Sequence, residues 1–501
     1  MFRVDFVATH ASANPNGLAL VDLESGRRWT YAQLHASVGA VGEWLLSEHA
    51  VRGVRVATLA KNCAEMVILH LAAARGGAIF VPLNWRLAAK EIEALVEDAQ
   101  PALLLHDPDR VPPAGAGRNM PITELLQVAD DGWDGCPPHV QREFEETSLI
   151  LYTSGTSGKP KGVMLSESNL FWGALNFIYG YQLDRSSVAL CDMPLFHTAG
   201  LNAITRATLQ AGGSVLIARG FDAPKTLQRL TDPELGVTHY MCVPQMAMRL
   251  WNEPGFEPEK LQKLVAWAVG GAPSPRAQVQ RFVEAGIRVS DGFGMSETCS
   301  NFGMPAHDLE VLMRKAGSCG LPFMALDAKI ADDTGQELRH GETGELWVRG
   351  PCVSSGYWNQ PEITAKAFQD GWFRTGDAAL RDDDGFYYIV DRRKDMYISG
   401  GENVYPAEVE AVIAEISDVA ECAVIGVPDE TWGEVGRVYV VPAPGHTITV
   451  EQVLQHCASR LAGFKQPRSV VVTDVLPRTA SGKVQKHLLK LRAAEEDATG
   501  E

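Results

Sequence analysis

Tyr152-Thr153-Ser154-Gly155-Thr156-Ser157-Gly158-Lys159-Pro160-Lys161-Gly162 is the stretch that decides how this chain is read. It follows an apolar run, Ser148–Tyr152, whose composition predicts a buried strand. Four Ser/Thr hydroxyls, three glycines and two lysines in one loop supply many donors and let the backbone approach a phosphate closely. The common nucleotide-triphosphatase loop sets four residues between its glycines and then Lys-Ser/Thr. Here two residues separate Gly155 from Gly158, and Pro160 follows Lys159. A flexible Ser/Gly linker is the bland alternative, but a linker has no need of Pro and paired Lys behind a buried strand.

Outward from this loop, β-branched runs alternate with amphipathic stretches: Val54–Leu59 before Glu65–Ala74, and Ser187–Asp192 before Leu201–Gln210. That alternation predicts an α/β protein with mainly parallel sheets. The Pro, Gly and Asp content of Asp107–Gly117 reads as a surface loop. From about Glu345 the texture changes to short strands and tight turns. Leu380–Arg381 and Phe386–Val390 flank Asp382-Asp383-Asp384-Gly385, a hairpin signal in which the aspartates read as a solvated turn, not a metal site. The charged run Asp391-Arg392-Arg393-Lys394-Asp395 marks a domain boundary. Beyond it we expect helix at Ala407–Glu415, strands at Glu421–Val427 and Gly436–Val441, helix at Val450–Leu461 and strand at Ser469–Val472. The expected architecture is a large N-terminal domain, 1–393, of parallel-sheet α/β layers with a smaller sheet or barrel part. A small mobile α+β domain, 394–501, follows it.

The 501 residues are enough for two or more domains. A net charge of −17 disfavours binding nucleic acid or an anionic membrane through bulk charge, so an anionic substrate must be held by local donors. The nine cysteines, among them Cys63, Cys136 and Cys191, are scattered without a Cys-x-x-Cys pair, as expected of free thiols in a reducing compartment. Met1–Asn14 has no apolar core of a signal peptide, and the apolar run Val67–Leu83 is broken by His70, Arg75 and two glycines. These features predict a soluble cytoplasmic protein with no nucleic-acid partner and no integral membrane association; a homodimer is left open.

Six further segments follow the loop in order: Pro194-Leu195-Phe196-His197, Gly292-Phe293-Gly294-Met295-Ser296-Glu297, Trp372-Phe373-Arg374-Thr375-Gly376-Asp377, Asp391–Asp395, Ser399-Gly400-Gly401-Glu402-Asn403-Val404, and Pro477-Arg478-Thr479-Ala480-Ser481-Gly482-Lys483. With the loop, they closely resemble the adenylate-forming superfamily of acyl-CoA ligases, nonribosomal adenylation domains and luciferases, over nearly the whole chain. The resemblance implies an AMP-forming acyl-CoA synthetase that uses ATP, Mg²⁺ and coenzyme A. A carboxylate is a poor electrophile because its leaving group would be oxide; an acyl adenylate leaves as AMP, and its formation needs charge neutralisation at the α-phosphorus.

The resemblance also implies roles. Thr153, Ser154, Gly155, Thr156, Ser157, Gly158 and Lys159 would cradle the phosphates, with Gly292, Phe293, Gly294, Met295 and Ser296 completing the nucleotide site. Ser296 stands where most relatives carry threonine, and either hydroxyl reaches a phosphate oxygen. Glu297 would hold magnesium, and Asp377 and Arg392 would hold the ribose hydroxyls. His197 would stand at the head of an acid pocket lined by Gly200, Leu201, Gly270, Gly271 and Ala272. Lys483 would bridge the carboxylate and α-phosphate during adenylation. The C-terminal domain would then turn about a hinge at Lys394 to bring Gly400, Gly401 and Glu402 to the pantetheine tunnel.

Within the superfamily, a carrier-directed adenylation enzyme is disfavoured because too little chain follows Gly482 for a carrier domain, and Ser399–Val404 has the CoA-ligase form. A luciferase-like oxygenase is disfavoured further, and the chain ends Thr499-Gly500-Glu501 without a peroxisomal signal. A non-catalytic acyl or nucleotide sensor would be expected to lose Lys483 or Glu297, and a serine hydrolase would need the absent Gly-x-Ser-x-Gly. For the acid, apolar and small pocket residues favour a medium- to long-chain fatty acid, with a hydroxycinnamate- or benzoate-type aryl acid as the alternative. Leu201 occupies the place where some long-chain relatives carry a gate tryptophan.

Overall fold

A computed structural model of the chain describes residues 5–130, 133, 143–153, 160–272, 274–392, 395–399, 402–429, 431–478 and 483–499. The predicted alternation of strand and helix builds two large sheets. In the nine-stranded sheet, six strands run parallel in the order Val289–Met295, Ala266–Val269, His239–Cys242, Val188–Cys191, Ser214–Ile217 and Leu18–Asp22. Antiparallel strands close its two edges. The seven-stranded sheet sets Thr147–Thr153, Ile79–Pro82, Arg55–Leu59, Leu103–His106 and Arg118–Pro121 in parallel, with Lys161–Ser166 antiparallel beside the first. Ala266–Val269 and Leu103–His106 are buried at every residue, the near-continuous apolar run that a parallel strand covered on both faces requires.

The main core takes residues from both sheets and from helix Ala64–Gly76, which is buried on almost every face. This explains the apolar run Val67–Leu83: it is an enclosed helix, a left-handed stop at Gly77 (φ 83°) and the buried strand Ile79–Pro82. Among the described residues no helix is long and apolar enough to cross a membrane.

The change of texture near Glu345 corresponds to a five-stranded antiparallel sheet that includes Gly344–Arg349, Trp372–Arg381 and Tyr387–Arg392. Its Asp-Gly turn forms as predicted: Asp382 accepts from the backbone N–H groups of Asp384 and Phe386, and Gly385 takes φ 88°. Lys315 pairs with Asp382 and Asp384 at 2.7 and 2.6 Å, so the aspartates also pin the turn to a neighbouring segment. Tyr397–Ser399 already belongs to the C-terminal sheet, with Glu402–Val404, Gly433–Pro442, Val419–Asp429 and Ser469–Val472. Helices Pro406–Ile413 and Val450–Ala458 cover one face of it, and Leu489 and Ala493 of helix Lys486–Thr499 cover the other. Sheet membership therefore changes between Arg392 and Tyr397. The expected hinge, Lys394, lies outside the described residues.

Candidate active site

Two of the segments singled out in the sequence, Pro194–His197 and Gly292–Glu297, lie at the C-terminal ends of parallel strands of the nine-stranded sheet, where open α/β sheets leave a crevice. Strand Val188–Cys191 delivers Pro194–His197. Asn62, from the end of a strand in the other sheet, holds this turn: its Nδ2 donates to the carbonyls of Met193 and Ala218, and its Oδ1 accepts from Leu195 N–H at 2.9 Å. His197 then opens a helix whose first turns, Ala199–Arg206, are π-type, a form that recurs at functional sites. Gly200 is obligatory here because a Cβ would lie 2.3 Å from the Pro194 carbonyl oxygen. The missing side chain at Gly200 thus admits backbone. Leu201 is enclosed in the main core at 1% exposure.

Glu297 sits in the three-residue turn between strands Val289–Met295 and Cys299–Gly303. The turn closes with Cys299 in the left-handed region (φ 56°), and the chain there passes so close that a Cβ on Gly294 would meet the Cys299 carbonyl oxygen at 2.2 Å. A positive φ at a non-glycine residue is strain of the kind found at functional sites. The Tyr357 hydroxyl donates to Glu297 Oε1 at 2.9 Å, the Ser354 N–H to its backbone oxygen at 2.7 Å, and the Lys161 ammonium faces the Tyr357 ring at 5.1 Å. No cluster of three potential metal-ligating side chains occurs among the described residues. One buried carboxylate suits magnesium, which keeps waters and substrate phosphates for most of its ligands.

Gly270, Gly271 and Ala272 follow strand Ala266–Val269 directly and face the start of Gly292–Glu297: a Cβ on Gly270 would lie 3.1 Å from the Gly292 carbonyl oxygen. Asp291 binds this region together by accepting from the Ser274 hydroxyl at 2.5 Å; burial pushes its carboxyl up to about 7, with the Ser274 bond opposing. Asp377 is buried at 3% exposure and stands directly across the antiparallel ladder from Arg392, whose side chain is outside the description. Glu345 fixes the turn before Asp377, accepting from Arg374 at 2.9 Å and from Gly376 N–H at 3.1 Å, where Gly376 takes φ 72°.

Thr153 ends its strand where expected, but Ser154, Gly155, Thr156, Ser157, Gly158 and Lys159 lie outside the described residues, as do Gly400 and Gly401. Glu402 is exposed and pairs in register with Ser399. Lys483 is exposed, yet its charge reaches His197 from the far end of the chain. His197 Nε2 is enclosed and has no hydrogen-bond partner within the protein. Burial, then Lys483, then Arg86 hold its imidazole down at about 4, so it is neutral at pH 7. Asn62, Tyr357, Glu345 and Asp291 were not singled out in the sequence. Each acts through a partner distant in the chain, and no local spacing signals that.

Two family profiles match the chain: AMP-binding enzyme over residues 7–358, and AMP-binding enzyme C-terminal domain over 408–483. A feruloyl-CoA synthase of Amycolatopsis sp. is 38% identical over 491 residues, covering 97% of this chain and 96% of its own. A long-chain-fatty-acid–CoA ligase of Mycobacterium tuberculosis is 33% identical over 495 residues, covering 96% of each. The structure of o-succinylbenzoate coenzyme A synthetase from Bacillus subtilis with ATP and magnesium superposes with a TM-score of 0.88. It is 31% identical and covers 97% of this chain and 99% of that one.

Proposed function

Because the chain belongs to the AMP-binding enzymes and is an AMP-forming CoA ligase working with ATP, magnesium and CoA, we propose that it activates an aromatic carboxylic acid in two steps. The acid's carboxylate oxygen first attacks the α-phosphorus of ATP; the bond to the β-phosphate oxygen breaks and pyrophosphate leaves. The CoA sulfur then attacks the acyl carbon, its proton is lost to the site, and the C–O bond to AMP breaks. The observation that supports this reading is that the Lys483 charge bears on His197, which would bring a cation from the C-terminal segment to the head of the acid pocket. There it would neutralise charge shared by the carboxylate and α-phosphate. The neutral imidazole adds no second charge, and its Nε2 is left for the acid or the thiol.

In this reading residues 1–393 hold the nucleotide through Thr153–Lys159, Gly292–Ser296, Asp377 and Arg392. Glu297 would hold the magnesium, whose charge offsets that of the phosphates. Residues 394–501 present Lys483 for the first step and, turning near Lys394, Gly400–Glu402 for the second. An aryl acid is preferred to the medium- or long-chain aliphatic acid because the helix after His197 carries Asn202 and Arg206, both at most 2% exposed, in the wall expected to line the pocket. An alkyl chain would leave such groups without partners at a cost of about 1–3 kcal/mol each. The higher identity to the feruloyl-CoA synthase agrees with this choice.

The test is kcat/KM for AMP release with CoA across octanoate, palmitate, benzoate and 4-hydroxycinnamate. An aryl acid should exceed octanoate by about tenfold, or 1.4 kcal/mol. A steady rise with alkyl chain length would return the choice to fatty acids. ADP and phosphate as products would remove the reaction itself.

A further inference from the structure

The π-type helix after His197 carries a polar stripe, with half-buried Thr198 at its start and buried Asn202 and Arg206 along it, spaced four apart and therefore on one side. Neither amide atom of Asn202 has a hydrogen-bond partner, although the residue is 1% exposed. Arg206 is 2% exposed; its Nη2 donates to Glu167 at 2.7 Å and its guanidinium lies over the Phe6 ring at 5.3 Å, while Nε and Nη1 have no hydrogen-bond partner. Buried amides and guanidinium groups normally find partners, so orphans spaced along one helix call for an occupant.

The stripe borders the hairpin that bears Glu297. Thr198 and Arg206 both bear on the Cys299 thiol, and Cys299 is the left-handed residue that closes that hairpin. Across from Asn202, helix Glu167–Tyr181 presents Gly173, where a Cβ would lie 3.0 Å from Asn202 Nδ2 and 2.4 Å from Cys299 Cβ. The glycine lets Asn202 and Cys299 pack directly against this helix. At a helical rise of about 1.5 Å, Asn202 lies at most about 8 Å and Arg206 at most about 14 Å beyond His197 along the axis. An acid whose carboxylate meets His197 and Lys483 thus has its far end at this stripe.

Charge selects the occupant. Glu167 already balances Arg206, and the Ser148 hydroxyl holds the second Glu167 oxygen. A second carboxylate on the substrate would add an uncompensated buried charge, whereas a neutral oxygen adds none. Asn202 offers a donor and an acceptor, and Arg206 two further donors.

We propose that Asn202 and Arg206 form a specificity subsite for a neutral hydroxyl, ether or carbonyl oxygen at the distal end of the acyl group. The proposal rests on the aryl-acid reading and narrows it to acids that carry such an oxygen. The measurement is kcat/KM for the matched pair 4-hydroxycinnamate and cinnamate, with octanoate alongside. The wild-type enzyme should favour the hydroxylated acid by about tenfold or more, since a site built to bond a hydroxyl rejects the analogue that lacks it. Asn202→Leu should bring that ratio to within about threefold, chiefly through loss on 4-hydroxycinnamate. Arg206→Lys, which keeps the cation facing Glu167 but removes the guanidinium fork, should lower the ratio as well, and circular dichroism checks that each variant is folded.

Equal turnover of the pair by the wild-type enzyme, as when water alone occupies the stripe, overturns the subsite and leaves the aryl reading standing. A wild-type preference that both variants retain overturns the assignment to these residues. Turnover of octanoate with neither aryl acid defeats the parent reading instead. Should Asn202→Leu fail to fold, the wild-type ratio and Arg206→Lys decide.

Discussion

Removing the charge of Lys483 should raise the pH at which His197 titrates, but only part of the way to that of an ordinary histidine. Burial is the largest cause holding the imidazole at about 4 instead of 6.5; Lys483 comes second and Arg86 third. The displacement corresponds to about 3 kcal/mol in favour of the neutral ring. Lys483→Gln takes away the second contribution and leaves the first, so the titration should rise by less than half of the displacement. Arg86→Gln should add a smaller rise. The assay is NMR of ring-labelled histidine in the unliganded enzyme, with His197→Gln assigning the resonance among the thirteen histidines. The sign of the stability effect follows. The folded value lies below the unfolded one, so the unfolded chain binds a proton first, and stability present above pH 6.5 is lost as the pH falls towards 4. The gap between wild-type and His197→Gln unfolding midpoints should shift in the same window. A His197 that titrates near 6.5 in the unliganded enzyme would refute the enclosure of Nε2, and one that titrates identically with and without Lys483 would refute the placement of Lys483.

Lys483→Ala should slow adenylation by about a hundredfold or more while thioester formation from supplied acyl adenylate stays near normal, and Gly401→Leu should do the reverse; equal loss of both steps in both variants would end the two-position reading. Tyr357→Phe removes a bond to the Glu297 carboxylate and should raise the magnesium needed for half-maximal rate by about tenfold, the scale of a charge-assisted bond; an unchanged magnesium dependence would detach Tyr357 from that role. Gly173→Ala overpacks the Cys299 contact and should lower stability by about 1–3 kcal/mol, read from urea unfolding; no change would show that the helix there gives way freely.

What could be read from the sequence was whatever is written locally. The strands at Val54–Leu59, Ser148–Tyr152 and Ser187–Asp192 announced themselves through apolar, β-branched runs, and the Asp-Gly turn at Asp384-Gly385 through its own chemistry. Glu297, Asp377 and Lys483 were legible only by resemblance, because a lone acid in a loop or a lone lysine near a chain end carries no physical signal of its own. What stayed hidden is the set of residues that position them. Asn62 holds a turn more than a hundred residues away, and Tyr357 reaches Glu297 across sixty. At Gly200 the missing side chain admits the Pro194 carbonyl, a close approach that no local spacing announces.

Several broken local rules meet at the crevice. A left-handed Cys299, an enclosed His197 nitrogen, the unbonded Asn202 amide and the unbonded Nε and Nη1 of Arg206 all fall on the hairpin bearing Glu297 or on the helix leaving His197. Elsewhere some buried polar groups are resolved within the protein: the Tyr31 hydroxyl bonds two carbonyls, Asp192 receives Thr226 and Tyr240, and the aspartates at Asp382–Asp384 meet Lys315; others, such as Trp347 Nε1 and the Tyr397 hydroxyl, have no hydrogen-bond partner. A chain that satisfies its buried polar groups in one place and leaves them open in another forgoes stability where a ligand can supply the missing bonds. Substrate binding should therefore stabilise this crevice by more than contact area alone provides. The acid that stabilises it most should be the one whose carboxylate and distal oxygen answer the two open ends together, His197 with Lys483 at one end and Asn202 with Arg206 at the other.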